Sequence, residues 1–411
     1  MSRKRQKIWG LLFIPIILSL LWLTGFVATV SSATQPTEAF TVDTTNDTHD
    51  AIPGNGRCQD ASGKCSLRAA IEESNILNGP NWVNLPNGNY ISSLFYLVIT
   101  DTLTINGEAM TSTVVDVIGG QFYLINPSAQ IAVTITNITI ENGGGTEGDG
   151  IYVRENLLLS DCIIQDNSAT RGGGIYVHAE GSLLVDTCYF EHNIASQGGA
   201  IYSAGDTTIL DSTFFGNYAD EGGAIYNMGK LMVLNSTISG NIISKSGGGI
   251  HSVSTLPASI SHSTVVNNIA DANGIGWGDG GGIFSDGSLL IQDTIIANNI
   301  DGTGEAPDCG GALVSNGYNL IKDLSGCAIT LLPSDLFGMD PLLGPLANNG
   351  GTTLTHALLA GSPAIDAGNC TDPDGNPVPF DQRGMPRPQG VTCDMGAYEF
   401  GFRLYLPIII R

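Results

Sequence analysis

Apolar residues recur along this chain at offsets that repeat together. Eight positions before Asn167, Asn193, Asn217, Asn241, Asn268 and Asn299 stand Leu159, Val185, Ile209, Val233, Ile260 and Ile291. Three positions before the same asparagines stand Ile164, Phe190, Phe214, Ile238, Val265 and Ile296. Five positions before them every residue is small: Cys162, Cys188, Ser212, Ser236, Ser263 and Thr294. Polar or variable residues lie between, so inside and outside alternate with the period of a strand, not of a helix. The register places Phe214 inward and its neighbour Thr213 outward. Asn142 extends the asparagine column upstream. A glycine marker keeps step: Gly-Gly, then Gly or Ala, then Ile recurs at Ile175, Ile201, Ile225 and Ile250, with looser copies at Ile151 and Ile283. The steps are 24, 26, 24, 25 and 33 residues.

A period near 25 residues is too short for a four-stranded propeller blade and fits a coil of two or three short strands. Coils that stack pair strand on strand, about 4.8 Å apart. The predicted fold is all-β, a right-handed parallel β-helix of about 25 residues per coil. Each aligned column becomes a ladder along the stack, with asparagines bonding at one turn and glycines giving positive φ at another. Ahead of the repeats, Ser66 to Ile76 has helical spacing, with Leu67, Ala70, Ile71 and Ile76 near one face and Ser66 as N-cap. A short N-terminal capping helix there would cover the open strand edges of the first coil.

The chain ends and the charge narrow the setting. Arg3, Lys4, Arg5 and Lys7 precede an apolar run from Ile8 to Val30, and Ser31-Ser32-Ala33 offers a cleavage site. Residues 1–33 read as a signal peptide, or as an uncleaved anchor. The expected localisation is secreted or extracellular, with possible attachment to the cell surface. The net charge of −23 argues against nucleic acid or anionic membrane as partner. Membrane contact is expected only through the N-terminal segment. The eight cysteines suit an exported chain, and their spacing suggests the pairs Cys58 with Cys65, Cys309 with Cys327, and Cys370 with Cys393. Cys162 and Cys188 fall in one interior column and could bridge or stack as thiols. No metal-ligand spacing occurs, and no cofactor is implied.

Two segments carry resemblances. FTVDTTND, with GRCQDASGKCSLRAAIEESN behind it, is similar to the CSLREA domain of secreted bacterial repeat proteins, except that Ala69 stands where that family has Glu. The Gly-Gly-Ala-Ile copies with Phe-x-x-Asn resemble the repeats of polymorphic outer membrane proteins, a family associated with surface β-helices and adhesion. Residues 339–400, with DPL, NGG, GSPAID, DQRG and CDMGA in order, resemble the choice-of-anchor Q domain that follows β-helical repeats in exported bacterial proteins. These likenesses divide the chain into a cap at 34–80, repeats at 81–330, a C-terminal region at 331–400, and a strand or sorting tail at 401–411. The Gly and Pro density of the C-terminal region predicts irregular turns closing the last coils, ordered by an ion-pair cluster of Asp366, Asp381, Arg383 and Asp394.

Candidate chemistry is sparse. One polar column, Asp161, Thr187, Asp211, Asn235, His262 and Asp293, is read as outward-facing. Asp161 and Asp211 would lie about 9–10 Å apart, two strand spacings, at the edge of the separation for an inverting glycosidase pair. Basic residues in the repeats share no column with an acidic cluster. Trp277, in the long Asp271–Gly282 insertion, is a candidate contact for a sugar ring. The expected function is an adhesin-like or structural binding module towards a glycan or cell-surface partner; the alternative is a polysaccharide lyase or glycoside hydrolase on the same scaffold.

Overall fold

The computed structural model describes residues 38–401 except 127, 273 and 275–278. Trp277, the expected signal segment and most of the C-terminal tail lie outside the described residues. The repeats form a parallel β-helix, and its strand pairing follows the sequence columns. Leu159, Val185, Ile209, Val233, Ile260 and Ile291 pair in register on successive coils. So do Ile164, Phe190, Phe214, Ile238, Val265 and Ile296. Both columns are fully buried, and Phe190 stacks on Phe214 with ring centroids 4.6 Å apart. A ring that fills the interior of one coil is thereby matched by the next, which keeps the core dense.

Two polar ladders run inside the apolar ones. In the asparagine column each side-chain amide donates to the next: Asn193 Nδ2 to Asn217 Oδ1 at 3.0 Å, and Asn217 Nδ2 to Asn241 Oδ1 at 2.9 Å. The ladder ends on a carboxylate, where Asp308 Oδ1 accepts from both the backbone N–H and Nδ2 of Asn299. Only an acceptor can satisfy the last donor. Asn142 is one residue out of this column. Its φ is +61°, and Gly143 takes the first rung through its N–H to Asn167 Oδ1. The small column works likewise: Cys188 N–H donates to Ser212 Oγ, Ser212 N–H to Ser236 Oγ, and Ser236 N–H to Ser263 Oγ. Further along, Thr294 N–H donates to Asn319 Oδ1, and Asn319 bonds to Asp335.

The paired glycines meet two separate demands. Gly198 has φ +67°, open to few side chains. A Cβ on Gly199 would come within 2.3 Å of the Gly223 carbonyl oxygen on the next coil.

The helix forms over Leu67–Ser74, and Ser66 Oγ accepts from Ala69 N–H at 3.0 Å. Leu67, Ala70 and Ile71 join the core with Val83, Leu85 and Leu97 of the first strands. Ile76 does not join them: it is exposed, beyond the end of the helix. The three local disulfides form as expected. Cys162 and Cys188 are free and buried.

The C-terminal region does more than close the last coils. After Leu336–Phe337, which still pairs with the solenoid, a hairpin of Leu343–Ala347 and Thr355–Leu358 starts a return along the flank. This segment reaches back to Thr213, whose Oγ1 donates to Leu354 O and accepts from Gln382 Nε2. Thr213 is therefore fully buried, against the expectation that it faces solvent. The covered outward positions explain the choice of path. Thr213, Thr237, Ser239, Thr264, Val266, Ile295 and Ala297 are small or apolar, whereas Glu141, Gln165 and Glu191 on earlier coils stay uncovered.

Candidate binding surface

The Asp161–Asp293 column is a corner, not an open wall. Asp161, Thr187, Asp211, Asn235, His262 and Asp293 all have φ between +47° and +55°. Asp and Asn tolerate that region better than most residues, so backbone conformation accounts for much of the column's polarity. The C-terminal segment covers its later members: Thr353 Oγ1 donates to Asp211 O, Asn235 Nδ2 to Phe380 O, and Asn369 N–H to Asp293 Oδ1. One carboxyl oxygen of Asp211 is sealed without a partner. Burial, with the Asp186 carboxylate beside it, pushes Asp211 well above the usual carboxylate range. Asp186, just ahead of the corner, is raised by burial and by Asp161. Sequence reasoning passed over Asp186, which stands between the two chosen carboxylates.

The expected ion-pair cluster is present in altered form. Asp381 and Arg383 pair at 2.6 Å, and Arg383 lies 3.5 Å over the Tyr398 ring centroid. Asp366 and Asp394 accept backbone N–H bonds instead. A further pair, Arg387 with Glu399 at 3.0 Å, is fully buried on both sides. Neither residue was singled out from sequence, because their burial depends on the fold-back.

At the hairpin, Ser239 and His356 line an open cleft of about 390 Å³ with Phe215, Asn267, Asn298 and Leu346. His356 Nδ1 is 2.7 Å from Gly344 O, and its Nε2 is 2.9 Å from Ser239 Oγ. A carbonyl only accepts, so Nδ1 carries the proton and Nε2 accepts from the serine. Burial lowers the His356 pKa and keeps the ring neutral. The contact fastens the hairpin to the wall.

A regular ladder outside the main core is aromatic, and it is largely buried: Tyr176, Tyr202 and Tyr226 are only 6%, 5% and 8% exposed. The middle residues of the Phe122–Leu124 strand and the four Ile-Tyr strands after it pair in register as Tyr123, Tyr152, Tyr176, Tyr202 and Tyr226. Their rings stack at 4.6, 5.3, 5.1 and 5.4 Å. The stack runs on into His251 and Phe284 edge to face. At its head Tyr96 lies 5.9 Å from Tyr123, tilted by 35°. One flank is ion-paired: Glu147 with Arg171 at 3.4 Å, and Glu221 with Lys245 at 3.5 Å. Arg171 also sits over the Tyr202 ring. Burial raises Tyr152 and Tyr226 to about 12, so their hydroxyls stay protonated. The recurrent Ile-Tyr at residues 151–152, 175–176, 201–202 and 225–226 was the available sequence signal. In-register stacking turns it into a rigid, largely buried ladder several coils long. Among the described residues no cluster of three or more His, Cys, Asp or Glu could hold a metal ion.

The family model for a right handed beta helix region matches residues 121–323. The molecule is thus an all-β, right-handed parallel β-helix protein, with the hand that parallel crossovers favour. Among solved structures it is similar to one described as the crystal structure of pectate lyase Pel9A. The identity is 14% and the TM-score 0.46, with 89% of this chain and 97% of that chain covered. No curated protein matches.

Proposed function

We propose that this protein is an exported, surface-associated binding module that holds a glycan or other cell-surface partner along its wall and leaves it intact. The carrying observation is the in-register wall of stacked coils, whose tyrosine ladder is buried as a rigid base and whose charged flank stays at the surface in pairs repeated along the stack. Such a wall suits many weak contacts along an extended partner. The three disulfides are consistent with an oxidising, extracellular setting, as is the basic-then-apolar N-terminus. The CSLREA-like, polymorphic-outer-membrane-protein-like and choice-of-anchor Q-like resemblances support export and surface display.

One observation favours an enzyme as the second reading. Asp161, Asp186 and Asp211 occupy neighbouring coils, and burial raises the last two. A carboxyl raised by burial beside further carboxylates suits the general acid of a glycosidase. The test incubates the mature protein with plant, algal and bacterial polysaccharides, measuring retention by affinity electrophoresis and new reducing ends or unsaturated products. Retention without product is expected. A product that disappears in the Asp161→Asn/Asp211→Asn double variant would replace the binding reading with the enzyme.

A further inference from the structure

The loop Ser92–Tyr96 holds an exposed aromatic in a conformation that suits glycine. Phe95 has φ +63°, a region that strains a bulky L-residue, and it is 65% exposed. Its side chain is therefore not kept there by core packing. The loop is nevertheless clamped. Arg68 and Asp47 pair at 2.7 Å, with side chains only 7% and 6% exposed. Arg68 donates to Tyr96 O and Ser92 Oγ, Ser92 Oγ donates to Phe95 O, and Leu94 N–H donates to Asp47 Oδ2. Gly120 lets the loop lie down, since a Cβ there would come within 2.4 Å of Phe95 O. A buried ion pair from the N-terminal segment and a close glycine contact thus hold a strained loop on which Phe95 and Tyr96 stay exposed.

What the loop presents is the open end of the tyrosine stack. Tyr152, Tyr176 and Tyr202 have a ring on both sides. Tyr96 has Tyr123 on one side and is 54% exposed. A free aromatic face beside an exposed phenyl ring matches the flat C–H face of a pyranose ring. The charge of −23 disfavours a uronate or sulfated sugar.

We propose that Phe95 and Tyr96 form a sugar-binding tip that takes a neutral pyranose residue of a polysaccharide on the open face of Tyr96. The proposal rests on the glycan-binding reading above and names the sugar class and the contact residues.

The experiment measures retention of the mature protein by neutral glucans, mannans, xylans and galactans in affinity gels, with uronate-rich pectin and alginate alongside. Each variant is also followed through thermal unfolding. Tyr96→Ala and Phe95→Gly should each weaken retention by a neutral polysaccharide at least tenfold. Phe95→Gly should at the same time melt above wild type, because glycine relieves the left-handed strain. A residue with only a structural role could not raise stability and abolish binding together. Wild-type retention that survives both variants overturns the tip and leaves the binding reading standing. Retention by the acidic polysaccharides alone overturns the sugar class assigned to the tip. Retention by no polysaccharide overturns the tip and the glycan-binding reading together.

Discussion

Glu399→Ala should release the C-terminal segment from the solenoid flank. The Glu399 carboxylate is fully buried against Arg387 at 3.0 Å. It also accepts the backbone N–H groups of Gln389 at 2.8 Å and Asp394 at 3.1 Å. Removing one member of a buried pair typically costs about 3–5 kcal/mol, because the other charge stays sealed without compensation. Each stranded N–H adds about 1–3 kcal/mol if no water reaches it. These costs overlap, so about 4 kcal/mol is a conservative expectation. The whole chain need not unfold, since a stack of coils loses contacts locally. The readout is amide hydrogen exchange at Met395, Gly396 and Ala397, whose N–H groups bond to Ala364 O, Asp293 O and Thr264 Oγ1. At about 1.4 kcal/mol per tenfold change, exchange there should speed up about a thousandfold while the core amides of Phe190 and Phe214 hold. The Arg387→Met/Glu399→Leu double variant should recover much of the loss, because neither member of the pair is then left as an uncompensated buried charge. Wild-type exchange rates in Glu399→Ala would refute the reasoning, since Arg387 would have to be solvated.

Two further predictions concern protons and thiols. Burial raises Asp149, Asp308 and Asp394 to about 6 and Asp293 to about 7, and also raises Asp186 and Asp211. A raised carboxyl binds its proton more tightly when folded, so its contribution is full below the unfolded pKa and is lost as pH rises through the folded one. Burial lowers His262, to about 3, and also His251 and His356; these act oppositely, their contribution being full above about 6.5 and lost as pH falls from there to the lowered folded value. The carboxyls outnumber them, so the urea midpoint should rise from pH 7.5 to pH 5. It should fall below about pH 4 as Asp60, held at about 2 by its hydrogen bonds to Ser62 and Lys64, is protonated. Asp293→Asn should flatten the rise, and a midpoint that drops steadily below pH 7 would contradict the balance. Cys162 and Cys188, sealed and unpaired, should ignore maleimide in the native protein and both react once it is denatured without reductant. Labelling of the native protein, or none in the denatured, would be the contrary result.

The interior was legible in the sequence because burial recurs at fixed offsets: Phe190 over Phe214 follows from counting. The corner column was legible as a column, but its meaning was not. Asp161 and Asp293 are polar chiefly because their backbone turns left-handed, and φ leaves no separate mark in a one-dimensional pattern. The fold-back was hidden for another reason. Thr213 and Gln382 meet across a separation of 169 residues, and nothing repeats between them. The tyrosine stack was visible as a recurrent Ile-Tyr, but only in-register pairing makes it a stacked ladder.

The asparagine ladder gives the solenoid a direction, and with it a grammar. Each amide hands its donors forward and receives from behind, from Gly143 to the stop at Asp308. A whole coil spliced in above that stop leaves every rung spelled as before, so such proteins can grow or shrink by complete coils. A partial coil would put a donor opposite a donor inside the stack. Asp308 is thus the full stop of the column: length may change anywhere before it, and the line still has to end on a carboxylate.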